Sequence, residues 1–212
     1  DQGVYALRWF TPDLEMDLCG HATLASAHVV LNHLEPQLDK VEFDTQSGRL
    51  VVTRSEHGFD MALPNRMPTA AQLPPALAES LNKIPLEVHL ARDFMLVYAS
   101  QQDVEQFEVD RALFDRTDLG TGGVIVTAPG EDCDFVSRFF TPQATILEDP
   151  VTGSAHCTLA PYWGGRLGKT VMQAQQLSAR RGALRCEMKE DHVQVSGQAT
   201  TYLEGTVHLN QT

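Results

Sequence analysis

The sequence predicts an α+β protein of two pseudo-symmetric halves, each made of short strands around one central helix. Three observations lead there. Short segments of strand character dominate the chain and are separated by turn signals such as Gln46-Ser47-Gly48 and Glu56-His57-Gly58. Two helical segments are apolar on nearly every side, a pattern that calls for enclosure by other structure. The run Arg8-Trp9-Phe10-Thr11-Pro12 returns 130 positions later as Arg138-Phe139-Phe140-Thr141-Pro142. Each copy leads through a polar loop and a glycine into one of those helices, as an internal duplication would.

In chain order, strands are expected at 4–10, 41–45, 49–54, 59–63, 86–91, 94–99, 123–128, 134–140, 183–188, 192–196 and 201–208. The helices are expected at 20–33 and 153–163, where alanines let surrounding strands come close. Pro64, Pro68, Pro74 and Pro75 punctuate 64–75 and mark the link between halves. The expected division is therefore 1–66 for the first half and 67–196 for the second. A last strand within 197–212 is able to return to the first half.

Composition bounds the function. The 212 residues are 42% hydrophobic and 21% charged, as in an ordinary globular chain, with a formal net charge of -12. No basic cluster larger than the adjacent pair Arg180-Arg181 is present, so a nucleic-acid partner is not expected; that pair reads as a turn or a local ion pair. No apolar run approaches the roughly 18–20 residues that span a bilayer, and no membrane partner is expected. Cys19, Cys133, Cys157 and Cys186 are widely spaced, form no Cys-x-x-Cys pair and read as reduced thiols of a cytoplasmic protein.

Chemistry is expected where the helices begin. Asp17-Leu18-Cys19-Gly20-His21 and Glu148-Asp149-Pro150-Val151-Thr152-Gly153-Ser154 each place a glycine at a helix start. The unpaired N–H groups there seat an anion, and two such starts facing one cleft would stabilise a carboxylate during proton abstraction. Gly20 and Gly153 allow close approach of backbone to ligand. Cys19, His21 and Asp149 are the titratable groups beside them, and they fall at equivalent places of the repeat. A helix start favours thiolate at Cys19, His21 titrates near neutral pH, and Asp149 can serve as acid, base or orienter.

Plainer roles compete. Asp149 or Thr152 can be an N-cap, Cys19 a small core residue, and His21 a hydrogen-bonded structural histidine. A zinc site from Cys19, His21, His156 and Cys157 lacks the usual loop spacings, and adjacent His156 and Cys157 project about 100° apart on a helix. His28 and Cys157 are expected in the core.

These stretches resemble a known family, the phenazine-biosynthesis-like (PhzF-like) isomerases, structural relatives of diaminopimelate epimerase. The resemblance is carried by RWFTPDLEMDLCGHATLASAHVVL (8–31), FDTQSGRLVV (43–52), DFVSRFFTPQATILEDPVTGSAHCTLAPYW (134–163), QLSARRGALR (176–185) and VSGQATTYLEGTV (195–207). CGHAT together with EDPVTGSAH is its most specific part. The resemblance implies two β-barrels, each around a central helix, with the active site between them. It implies proton transfer without cofactor or metal on a small carboxylate-bearing substrate, in a homodimer. It places the catalytic histidine at His21, the second-half aspartate at Asp149, and substrate contacts at Cys19, Gly20, Gly153 and Ser154.

Two departures are visible. In the epimerases both helix starts carry a cysteine; here Cys19 holds the first place, and Asp149 or its neighbours stand at the second. The family's principal base is a glutamate in a Ser-Glu-Thr-type run upstream of the first repeat, and these 212 residues contain none. The first barrel is therefore expected to lack its early strands, and activity to be weak or absent. An inactive binding or scaffold protein is the alternative, and a zinc-dependent hydrolase built on Cys19, His21 and Asp149 a third reading. An opened barrel bares sheet edges and part of a helix, which favours association. Light scattering should thus report a species larger than the 23.4 kDa monomer; a stable monomer contradicts the expectation.

Overall fold

The computed structural model describes residues 3–11, 15–120, 122–206 and 208. Its elements are β1 (Val4–Ala6), β2 (Trp9–Phe10), β3 (Glu15–Met16), α1 (Gly20–Val29) running into a π-turn (Val30–Leu34), β4 (Lys40–Thr45), β5 (Gly48–Ser55), β6 (Gly58–Pro64) and β7 (Thr69–Ala70). Then follow α2 (Pro75–Ser80), β8 (Glu87–Leu90), β9 (Phe94–Val97), α3 (Gln101–Glu105), α4 (Arg111–Phe114), β10 (Val124–Pro129), β11 (Phe135–Phe140) and β12 (Glu148–Asp149). A 3₁₀ turn (Gly153–Ala155) leads into α5 (His156–Leu167), followed by β13 (Val171–Gln176), β14 (Gly182–Met188) and β15 (His192–Gly197). The mixed sheet and few helices make this an α+β fold.

Most strands join one sheet in the order β1-β4-β5-β6-β15-β14-β13-β11-β10-β9-β8-β7, with β12 added to β11 and β2–β3 forming a separate hairpin. The runs before and after the Pro-rich link share this sheet through antiparallel pairing of β6 with β15, Asp60 opposite Ser196. Beyond the pair Arg185–Ser196, β14 and β15 no longer face each other, and the sheet splits there.

Burial explains the sequence patterns. β10 is apolar on both faces except at Thr127, because both of its faces are covered. Ile125 joins Met95, Val97 and Phe135 in the core around α5, while Val124 and Val126 join Leu96 and Val136 in a second core with Leu77, Val104 and Phe114. α5 is enclosed, with Trp163 stacked on Phe135 and its indole N–H donating to Thr127 Oγ1 at 3.0 Å. The expectation that α1 is equally enclosed is corrected: Thr23, Ala27, Val30 and Leu31 are buried, but His21, Ala25 and Val29 face outward, Val29 being 47% exposed. Its covered side packs on β6 and the 3₁₀ turn, and β4 lies against the π-turn that follows it.

The strand expected at 201–208 is also corrected. Residues 201–206 carry no strand, with Tyr202 99% exposed, and Val207 lies outside the described residues, as do 209–212 and Pro12 of the first repeat. Strand character in Tyr202-Leu203 yields no strand without a neighbouring edge to pair with. Thr201 is instead held by its hydroxyl between His28 Nε2 at 2.9 Å and His33 Nε2 at 2.8 Å. His28 is accordingly half-buried at the rim rather than in the core, whereas Cys157 is fully buried as expected. The segment expected as one strand at 4–10 breaks into β1 and β2.

His156, at the start of α5, is fully buried, and desolvation pushes its pKa down from 6.5 to about 4. A folded value below the unfolded one means this contribution to stability is complete above about 6.5 and is lost as pH falls through about 4. Melting temperature should fall with acidification over that window, and less steeply in His156→Gln. Identical slopes for the two proteins would contradict this.

Candidate active site

The two repeats fold alike. β2 and β3 pair with Phe10 opposite Glu15; β11 and β12 pair with Phe140 opposite Glu148. In the first hairpin Arg8 grips Glu15 through two N–H···O bonds of 2.8 Å and lies 5.0 Å over Phe10. In the second, Arg138 grips Glu148 at 2.7 and 2.9 Å and lies 4.8 Å over Phe140. The planar guanidinium suits both the fork and the ring. Arg138 also donates to Val104 O and Phe107 O, so the second copy is tied into the core, whereas Arg8 is exposed.

From Glu15 and Glu148 onward the copies run 133 positions apart. Cys19 therefore matches Thr152, Gly20 matches Gly153, and Thr23 matches His156. The last pair repeats one bond: Thr23 Oγ1 donates to Cys19 O at 2.7 Å, and His156 Nδ1 donates to Thr152 O at 2.9 Å. This corrects the expected equivalence of Cys19 and Asp149. Asp149 matches Met16, and the partner of Cys19 is Thr152.

The two helix starts meet. A Cβ on Gly20 would lie 3.0 Å from Gly153 Cα, and one on Gly153 would lie 3.2 Å from Gly20 Cα. Cys19 precedes α1 and Thr152 precedes the 3₁₀ turn, and neither side chain caps the N–H groups that follow. The capping alternative is thereby set aside for Thr152, whose hydroxyl donates to Asp149 instead. The junction forms part of a cleft of about 770 Å³ lined by Gly20, His21, Val151 and Gly153, with Arg185 and Ser196 where the sheet splits.

His21 crosses the junction. Its Nδ1 lies 3.0 Å from Val151 O, and a carbonyl only accepts, so Nδ1 carries hydrogen. Cys19 Sγ sits beside the ring, 3.8 Å from Nδ1 and 3.6 Å from Nε2. Interaction with Cys19 raises the His21 pKa from 6.5 to about 9, with Asp149 and the Val151 carbonyl adding and desolvation opposing. Asp149 is half-buried, and burial pushes its pKa up, while the Thr152 hydroxyl and His21 pull it down. Thr152 Oγ1 donates to Asp149 Oδ2 at 2.5 Å. His21 thus stands against the loop that carries Asp149.

Cys19 is half-buried beside His21, and Ser154 is buried in the 3₁₀ turn behind Gly153. His156 and Cys157 point into the core instead of joining Cys19 and His21, and among the described residues no three His, Cys, Asp or Glu side chains are placed to hold a metal ion. Arg180-Arg181 is a turn, Arg181 having a φ of 56°. Gln176 and Ser178, which sequence reasoning left unassigned, hold the Asp149–Thr152 loop.

Comparison with known proteins agrees with this architecture. The family described as phenazine biosynthesis-like protein matches residues 1–205. An uncharacterized isomerase of Pseudomonas aeruginosa is 43% identical over 98% of this chain and 79% of its own. The crystal structure of a PhzF-family phenazine biosynthesis protein of Enterococcus faecalis superposes with a TM-score of 0.91 at 42% identity, covering 99% of this chain and 80% of that one. A hydroxyproline epimerase of Agrobacterium vitis, with bound trans-4-hydroxy-L-proline, shares the fold at a TM-score of 0.57 and 11% identity over 93% of this chain and 68% of that one. The chain belongs to the phenazine biosynthesis-like (PhzF) family, as CGHAT and EDPVTGSAH indicated.

The junction gives a stability test. A methyl group at Gly20 meets backbone, which cannot rotate away, so Gly20→Ala should lower stability by about 1–3 kcal/mol. Gly165→Ala, with nothing within 4 Å of the new Cβ, should be neutral or stabilising. Urea midpoints of the two variants decide it; equal midpoints would mean that the glycine contact is dispensable.

Proposed function

We propose that this chain is an isomerase that moves a proton at a carbon next to a carboxylate, with residues 1–66 and 67–196 as the halves flanking the site. The observation that carries this reading is the meeting of the two helix starts at Gly20 and Gly153, with His21 and Asp149 beside it. The substrate carboxylate sits on the N–H groups of that junction, contacted by Cys19, Gly20, Gly153 and Ser154. Removal of the neighbouring C–H proton leaves negative charge on the carboxylate-bearing carbon, which the N–H groups and imidazolium stabilise. The proton is then returned to another carbon or to the opposite face.

Roles follow from proton affinity. With a pKa near 9, His21 is protonated at neutral pH and acts as donor and electrostatic partner. Asp149, its affinity raised by burial, accepts and returns a proton. The reaction uses side chains alone, as the family resemblance implies. The resemblance also implies a glutamate base from a Ser-Glu-Thr run upstream of the first repeat. Four unpaired thiols support a cytoplasmic location, and the resemblance supports a homodimer.

The test is hydrogen exchange in deuterated water with a panel of small carboxylic acids, read by NMR at the carbon next to the carboxylate. His21→Asn and Asp149→Asn should each lower exchange by about 100-fold or more. The rate should be sustained from neutral pH toward 9 and fall as pH rises through about 9, where the imidazolium is lost. Exchange that survives both substitutions unchanged would refute the assignment.

A further inference from the structure

Three consecutive backbone carbonyls of the loop beside His21 are each held by a different side chain. Gln176 Nε2 donates to Asp149 O at 2.7 Å, Ser178 Oγ donates to Pro150 O at 2.7 Å, and His21 Nδ1 donates to Val151 O at 3.0 Å. Gln176 also closes on Thr152 from both ends of its amide. Its Oε1 accepts from Thr152 N at 2.6 Å, and its Nε2 donates to Thr152 Oγ1 at 3.2 Å. The two backbone partners fix which end of the amide is which, because Thr152 N–H only donates and Asp149 C=O only accepts.

This arrangement directs one proton. Thr152 Oγ1 receives the Gln176 N–H, and its own hydrogen goes to Asp149 Oδ2 at 2.5 Å. The chain Gln176 N–H to Thr152 O–H to Asp149 carboxylate leaves Oδ1 as the oxygen to take or give a proton. Gln176 is 1% exposed on the core-facing side of β13. A buried amide without partners costs on the order of 1–3 kcal/mol, and the loop supplies partners to both of its ends.

We propose that Gln176 is a positioning residue for proton transfer: it orients the Thr152 hydroxyl onto Asp149 Oδ2, so that Asp149 presents Oδ1 to the substrate. The role rests on the proton-transfer reading of the site, but its signature can be read without substrate. His21 is the ionisable group that acts on Asp149 from the opposite helix start, and it is unchanged in every variant below.

The experiment titrates the side-chain carboxyl carbon of ¹³C-labelled Asp149 by NMR, with a thermal melt of each variant as a check on folding. Gln176→Met, of similar shape but without donors, should move the Asp149 midpoint up, because the hydroxyl no longer favours the carboxylate. Thr152→Val should move it up as well, Thr152→Ser should leave it at the wild-type value, and Gln176→Met/Thr152→Val should move it no further than Thr152→Val. Should Gln176→Met not fold, Thr152→Val still decides, since it leaves both bonds from Gln176 to the loop backbone in place. A midpoint unmoved in Thr152→Val, or melting temperatures that fall in Gln176→Met without a change in midpoint, would overturn the proposal. Loss of exchange in Asp149→Asn alongside an unmoved midpoint would reject the positioning role alone. Normal exchange in Asp149→Asn would reject the functional reading and leave the titration standing.

Discussion

Gly20 and Gly153 touch across the molecule with too little room for a methyl group between them, and the site depends on that contact. It brings two helix starts within one substrate's reach while keeping their first N–H groups clear of capping side chains. Any larger residue would push the starts apart or occupy the proposed anion seat. The same contact brings His21 of the first repeat against Val151 of the second. Stability of the joint and geometry of the site are thus one constraint, imposed by two residues with no side chain.

Around that contact the backbone is duplicated while the chemistry is not. Both copies keep the arginine fork on glutamate, the ring under the guanidinium, the hairpin register and the side-chain bond back to the residue before the glycine. Burial differs: Arg138 is locked to two core carbonyls, whereas Arg8 stands in solvent. The second copy acts as a fixed wall and carries the gripped loop. The first supplies the more exposed histidine.

Much of this was legible in the sequence. Arg-Trp/Phe-Phe-Thr-Pro followed by a glycine located both helix starts, because that local code must make a strand end, a turn and a helix entry in each copy. The strand expected at 123–128 is found as β10. β13 was not legible: Val171-Met172-Gln173-Ala174-Gln175-Gln176 alternates, but its third inward residue is a glutamine that burial would ordinarily forbid. Gln176 is buried because a loop 24 residues earlier supplies its hydrogen bonds, a relation no local pattern displays. The match of Cys19 with Thr152 was hidden for a similar reason. The loops between hairpin strands differ by three residues, so the motif offset of 130 becomes 133 only once the register of β3 and β12 is known.

The position matched to Cys19 bears on the kind of proton transfer the site can perform. A two-thiol racemase needs equivalent bases on both faces of the reacting carbon. Here the second position is Thr152, whose hydroxyl proton is committed to Asp149 and whose oxygen accepts from Gln176. A hydroxyl so engaged orients its neighbour and does not abstract a proton from carbon. In the proposed mechanism, proton exchange on the second side therefore passes to Asp149, whose match in the first copy, Met16, has no titratable group. An asymmetric pair of this kind, an imidazolium held near pKa 9 facing a carboxyl raised by burial, suits moving a proton from one position to another better than inverting a centre between two like groups. In the proposed mechanism the duplicated backbone fixes where the substrate carboxylate lies, and the unlike residues at Cys19/Thr152 and Met16/Asp149 decide from which side the proton is handled.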